Sequence, residues 1–175
     1  MKVLVTYKSK TGFTREYAEF IAKELAGDVM DIKKAGAKVM KSYDVVIHGG
    51  SIFAGLIGGL KKARSNFLKS GAGHFVIFAV GATPAKVTDN VENIWNNNLL
   101  EEEKTLNNHF YLQGGLRYEE MGFMSRKLMT MMANKLQADN KCPKDDPNEV
   151  DISKSYDISS PEYALPLIEY VRTLG

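Results

Sequence analysis

Two hydrophobic periodicities alternate along this chain. Short apolar runs fall at residues 2–7, 29–32, 44–49, 74–80 and 109–114. Longer stretches with apolar residues three and four apart fall at 14–26, 59–70, 86–104, 122–137 and 161–174. The first pattern predicts strands and the second predicts amphipathic helices. Phe75-Val76-Ile77-Phe78-Ala79-Val80 is apolar throughout, as a strand must be when both faces of its sheet are covered. In the first helical stretch Phe13, Tyr17, Phe20, Ile21, Ala22 and Leu25 form one stripe, and Gly27 is placed to end it as a left-handed cap.

Strands alternating with helices predict a parallel sheet covered on both sides, a three-layer α/β sandwich with strand order 2-1-3-4-5. Residues 117–148 stand apart as an insertion between the fifth strand and the last helix. They comprise a helix followed by the turn-rich Cys142-Pro143-Lys144-Asp145-Asp146-Pro147. No repeat or linker divides the chain, so residues 1–175 read as one domain.

Composition narrows the classes of function. Apolar residues make up 44% of the chain and charged residues 25%, ordinary for a globular domain. The formal net charge of +2, with lysines scattered rather than clustered, argues against nucleic-acid binding. No apolar run approaches the roughly 20 residues that span a bilayer, and the chain opens directly on a strand, so no signal peptide is expected. The single cysteine, Cys142, fits a reducing cytosol and reads as a solvated loop thiol rather than a nucleophile. His48, His74 and His109 lack metal-ligand spacing, so no metal is expected. Trp95 reads as a packing residue, and Asp89, Glu92 and Glu101-Glu102-Glu103 as a solvated face.

The candidate chemistry begins at Ser9-Lys10-Thr11-Gly12-Phe13-Thr14, between the first strand and the first helix. Unpaired backbone N–H groups, three hydroxyls and the positive end of a helix dipole converge there, which points to a bound phosphate. A dinucleotide fingerprint needs three spaced glycines, and Gly12 stands alone. A Walker loop fails because Leu60 stands where its second glycine belongs. A phosphoacceptor domain of this architecture needs acidic strand ends; here the ends carry Ser9, Thr11, Gly49 and Ser51.

The S-x-T-G-x-T pattern resembles the FMN-phosphate loop of the flavodoxin family. That resemblance implies a flavodoxin-like sandwich, FMN as cofactor, and a phosphate held by hydroxyls and backbone N–H groups without arginine or metal. Ser9, Thr11 and Thr14 match the hydroxyl positions; Lys10, Gly12 and Phe13 would contribute backbone donors. Ligands in open α/β sheets sit beyond the carboxyl ends of the strands where strand order reverses. The turns after the third and fourth strands are therefore expected to hold the ring: Ser51, Ile52, Phe53, Ala54 and Gly55 in one, Gly81, Ala82 and Thr83 in the other. Phe53 is expected either to stack on the flavin, as aromatics do in that family, or to pack into the core. The second turn has no aromatic, which departs from carrier flavodoxins and suits an open ring face.

Gly50-Ser51-Ile52 with Gly55, and Gly114-Gly115-Leu116-Arg117-Tyr118 before a long helix, are similar to the flavodoxin-domain proteins that include HemG-type protoporphyrinogen IX dehydrogenases. This implies FMN as the only cofactor and, in the HemG enzymes, electrons passed from a porphyrinogen to a quinone. Phe53-Ala54-Gly55-Leu56 replaces a more basic and aromatic stretch of those enzymes. Arg117 and Tyr118 are candidate substrate residues, Arg117 toward a carboxylate such as a propionate; it is equally placed to cap carbonyls or bridge to a surface acid. Met121, Met124, Leu128, Met131, Met132 and Leu136 form a stripe open to three readings: a wall for a flat apolar ligand or partner, a membrane-surface helix, or plain core. Carrier flavodoxins are typically acidic, whereas this chain has a pI near 8.5. The expectation is an FMN-binding redox protein that carries electrons, or a HemG-like protoporphyrinogen or quinone oxidoreductase. Its partner would be a redox protein or a quinone- or porphyrinogen-type molecule. It would be cytoplasmic, with membrane contact at most peripheral.

Overall fold

The sheet runs through β1 (Val3–Lys8), β2 (Asp28–Asp31), β3 (Val45–Phe53), β4 (Leu56–Ile57), β5 (His74–Gly81) and β6 (His109–Gln113). Its order is β2-β1-β3-β5-β6, all parallel, with β4 folded back antiparallel on the end of β3. Leaving out the hairpin strand β4, this is the 2-1-3-4-5 order expected from the alternation. The computed structural model describes residues 1–138 and 151–175. Cys142 and the turn at 142–147 lie outside the described residues, as do the side chains of Met124, Met132 and Leu136.

Strand periodicity sorts the core into two layers. Val3 and Val5, Val45 and Ile47, Val76 and Phe78, and Leu112 face one side, where α1 (Phe13–Glu24) and α7 (Leu165–Arg172) cover them. Leu4, Val46, Ile77 and Ala79 face the other, under α2 (Ala37–Met40), α3 (Leu60–Ser70) and α4 (Thr88–Asn98).

Three boundaries differ from the sequence expectation. The stretch 86–104 divides into α4 and α5 (Glu101–Lys104), because Leu99 and Leu100 are extended between them. Asparagines close α4, and Asn98 turns its side chain to the Ile57 N–H and the Gly55 carbonyl. At the end of α1 the left-handed residue is Ala26, not Gly27. The Gly27 N–H donates to the Ala22 carbonyl at 2.8 Å, and a Cβ there would stand 2.8 Å from the Val3 carbonyl oxygen, so this glycine serves close approach to β1. Third, the segment 161–174 opens with a 3₁₀ turn, Pro161–Ala164, before α7.

After β6 the chain leaves the sheet. β7 (Gly115–Leu116) pairs antiparallel with β8 (Tyr156–Asp157), and α6 (Phe123–Ala138) lies between them in sequence. The expected helix at 122–137 is therefore present. The Gly114 carbonyl accepts from the Ile158 N–H at 2.8 Å and prolongs the clasp.

His48 on β3 is fully buried and wholly paired. Its Nε2 lies 3.0 Å from the Gly58 carbonyl, which only accepts, so the neutral ring carries its proton there and Nδ1 accepts from the Thr6 hydroxyl at 2.9 Å. Burial pushes its pKa down to about 4, against the Gly58 hydrogen bond, and Lys8 adds to the lowering. In the unfolded chain the ring has its ordinary value of 6.5. Between these two values the unfolded state binds the extra proton, so stability is lost as pH falls through that window. The loss should reach about 3 kcal/mol, visible as a lower urea midpoint at about pH 4.5 than at pH 7. His48→Gln should flatten that difference.

Candidate functional site

The loop joining β1 to α1 is shaped by Gly12, whose φ of +97° only glycine adopts readily. Its carbonyl accepts from the Arg15 and Glu16 N–H groups at 2.8 and 3.1 Å, which starts the helix. Its own N–H donates to Ser9 Oγ at 3.1 Å. No side chain among the described residues caps α1, so the N–H groups of Phe13 and Thr14 remain for a ligand. Thr14 is buried, and its Oγ1 has no hydrogen-bond partner among the described residues. A buried hydroxyl without a partner costs folding energy. Placed at an uncapped helix N-terminus, it fits an anion with several acceptor oxygens.

Beside this loop lies a cavity of about 320 Å³. Thr11, Phe13 and Thr14 form one wall, and Ser51, Ile52 and Phe53 at the end of β3 another. Gly81 and Ala82 close it from β5, and Gly115, Leu116, Met121, Ser125 and Met129 close it from the segment after β6. Lys10 lays its ammonium 3.3 Å from the centroid of the Phe53 ring, a cation–π contact at the rim. Partial burial and the neighbouring Lys8 push the Lys10 pKa down.

The β5 turn is held from behind by two tyrosines. The Tyr111 hydroxyl donates to the Thr83 carbonyl at 2.6 Å and the Tyr156 hydroxyl to the Ala82 carbonyl at 2.8 Å. Burial raises both phenols, Tyr156 to about 12, so they remain protonated donors at neutral pH. Gln113 Oε1 accepts the Ala85 N–H at 2.5 Å and completes the brace.

Most residues expected at the site converge on it. Lys10, Thr11, Phe13, Thr14, Ser51, Ile52, Phe53, Gly81 and Ala82 line the cavity, while Ser9 and Gly12 lie on the polar outer side of the loop. Phe53 faces the cavity and not the core. Ala54 and Gly55 form the turn of the β3–β4 hairpin, with φ of +49° and +75°, and stay outside the lining. Thr83 also stays outside, its carbonyl held by Tyr111.

Arg117 is engaged within the protein. It donates to both Glu16 carboxylate oxygens at 2.6 and 3.1 Å, to Asp157 at 3.3 Å and to the Thr11 carbonyl at 3.2 Å. Of its three expected roles, the bridge to surface acids is formed, together with a bond to a loop carbonyl. Tyr118 donates its hydroxyl to the Ile152 carbonyl at 2.6 Å and stays outside the cavity lining. Within the methionine stripe, Met121 faces the cavity and Met131 is exposed. Met129, outside the stripe as read from sequence, supplies the second methionine of the wall. Tyr111 and Tyr156 were also missed, because their work is done through a hydroxyl on a backbone carbonyl, which leaves no motif.

The sequence matches the family described as flavodoxin domain over residues 4–142. The chain belongs to the flavodoxin domain family. No curated protein matches it in sequence. Among solved structures, a flavodoxin from the domain Archaea aligns at 14% identity over 78% of this chain and 99% of that one, with a TM-score of 0.44. Oxidised flavodoxin 1 from Bacillus cereus aligns at 16% identity over 78% and 98%, with a TM-score of 0.45. A WrbA-like flavodoxin from Agrobacterium tumefaciens aligns at 18% identity over 72% and 88%, with a TM-score of 0.45. The cofactor of a flavodoxin domain is FMN, and these residues fit it. The loop offers uncapped N–H groups and an unpartnered hydroxyl to the phosphate, and the adjoining cavity offers apolar walls to the ring. No helix among the described residues is long and apolar enough to cross a membrane.

Proposed function

We propose that this flavodoxin-domain protein binds FMN and passes electrons between it and a redox partner protein. The observation that carries the reading is the buried Thr14 hydroxyl without a partner, at an uncapped helix start beside an apolar cavity. The flavin supplies the electron chemistry. The chain anchors the phosphate with Ser9, Thr11 and Thr14, and holds the ring between the β3 and β5 turns. Phe53 and Lys10 stand at the rim, and the two tyrosines keep the β5 turn rigid.

One observation favours a second reading, oxidation of a flat apolar molecule of quinol or porphyrinogen type in the manner of the HemG enzymes. The wall made by Met121 and Met129 is soft and adaptable, a surface suited to such a ligand. Under that reading, contact with a membrane surface would bring the apolar molecule to the site.

Purified protein titrated with FMN should quench the flavin fluorescence at one equivalent. The FMN-loaded protein is then mixed anaerobically with a porphyrinogen or a quinol while the flavin absorbance is followed. Bleaching selects the oxidoreductase reading, and an unbleached flavin leaves the electron carrier. A protein that takes up no FMN overturns both.

A further inference from the structure

The phosphate loop has an acid problem. Glu16, in the first turn of α1, places Oε1 3.1 Å from the point where a Cβ on Gly12 would stand. Asp157 approaches from β8, and the two carboxylates meet on the same guanidinium. An FMN phosphate carries close to two negative charges at neutral pH. Two uncompensated carboxylates beside its loop would repel it and offset much of what the helix N-terminus contributes.

Arg117 answers this with one side chain. Its fork takes both oxygens of Glu16 and one of Asp157, so these two carboxylates sit in an ion cluster beside the loop. Nη1 also donates to the Thr11 carbonyl, which fixes that peptide within the loop. The guanidinium lies 3.8 Å from the centroid of the Phe13 ring, so its plane is held by stacking as well as by hydrogen bonds. It fills the space beside Gly12 so closely that a Cβ there would stand 2.6 Å from Nη1.

We propose that Arg117 is a positioning residue that makes the loop selective for a phosphorylated flavin, by offsetting half of the charge of Glu16 and Asp157, chiefly that of Glu16, and by fixing the Thr11 peptide. The inference rests on the assignment of FMN as cofactor. It gives the arginine a role in affinity without requiring that it touch the phosphate. The effect must therefore depend on the phosphate of the ligand and on the charge of Glu16.

The test compares FMN with riboflavin, which has the same ring and no phosphate, by fluorescence titration of wild type, Arg117→Ala, Arg117→Lys, Glu16→Gln and the Arg117→Ala/Glu16→Gln double variant. Arg117→Ala should weaken FMN binding by about ten- to a hundredfold, the order expected when an unpaired carboxylate is left near a phosphate at the protein surface, while riboflavin affinity stays near the wild-type value. Adding Glu16→Gln to Arg117→Ala should restore part of the FMN affinity, because it removes the repulsion that the alanine exposed. Arg117→Lys keeps the charge but loses the fork and should fall between wild type and alanine; if the alanine variant does not fold, Arg117→Lys and Glu16→Gln carry the comparison. Parallel losses for both flavins, or an FMN affinity lowered further by the double change, overturn the inference. A wild-type protein that binds no FMN overturns the cofactor assignment itself, which is a different outcome.

Discussion

Thr14→Ala is expected to cost the protein most of its FMN affinity while leaving its melting temperature unchanged or slightly raised. The two signs have one cause. In the free protein Oγ1 is buried and donates to nothing among the described residues, so the fold there loses no hydrogen bond when it goes and is relieved of an unsatisfied polar group. Toward the phosphate the same hydroxyl is a donor to a charged acceptor, worth about 1.5–3 kcal/mol, or roughly ten- to a hundredfold in affinity. Thr11→Ala in the same chain should deepen the loss. Isothermal titration with FMN, set beside thermal melts of the free proteins, separates the two effects. A Thr14→Ala variant that melts early, or one that binds FMN as well as wild type, sinks the assignment of this hydroxyl.

The second large effect lies in the sheet below the site. Gly49 continues the Val45–Ile47 face of β3, and a Cβ there would fall 1.9 Å from Cζ of Phe78. Phe78 is fully buried in the layer under α1, so its ring has nowhere to move. Gly49→Ala should therefore destabilise the fold by about 3 kcal/mol, the upper range of overpacking, and lower Tm by roughly 6–12 °C. Phe78→Leu introduced into the alanine variant should recover part of the loss, since it withdraws the ring that the methyl meets. If the double variant is no more stable than Gly49→Ala alone, the clash is not the cause.

The sheet was legible because each central strand is buried on both faces and so reads as a dense apolar run. The phosphate loop was legible because its chemistry lies in consecutive residues. What escaped was whatever short or distant pairing decides. The two residues of β4 and the four of α2 are too few to show a period. β7 and β8 find each other across most of the segment after β6, and nothing local in Gly115-Leu116 or Tyr156-Asp157 announces it. Arg117 could be read toward a substrate, toward carbonyls or toward a surface acid, and its acid partners, Glu16 on α1 and Asp157 on β8, are far from it in sequence and brought near only by the fold. The wall of the cavity turned on which methionines point inward. Met129 does and Met131 does not, although the stripe read from the sequence takes in Met131 and leaves out Met129.

That short β7–β8 clasp has a consequence for how this protein can change. The chain departs at Leu116 and comes back at Tyr156, its register partner, so everything between starts and finishes at one doorway on the rim of the sandwich. The cost of closing a loop grows only with the logarithm of its length. Beyond Arg117, which must stay to steady the phosphate loop, the stretch can be lengthened, shortened or exchanged with little effect on the strands of the sheet. One clasped doorway thus lets the wall of the cavity be rewritten as an exchangeable cassette, while the phosphate loop opposite keeps the same cofactor.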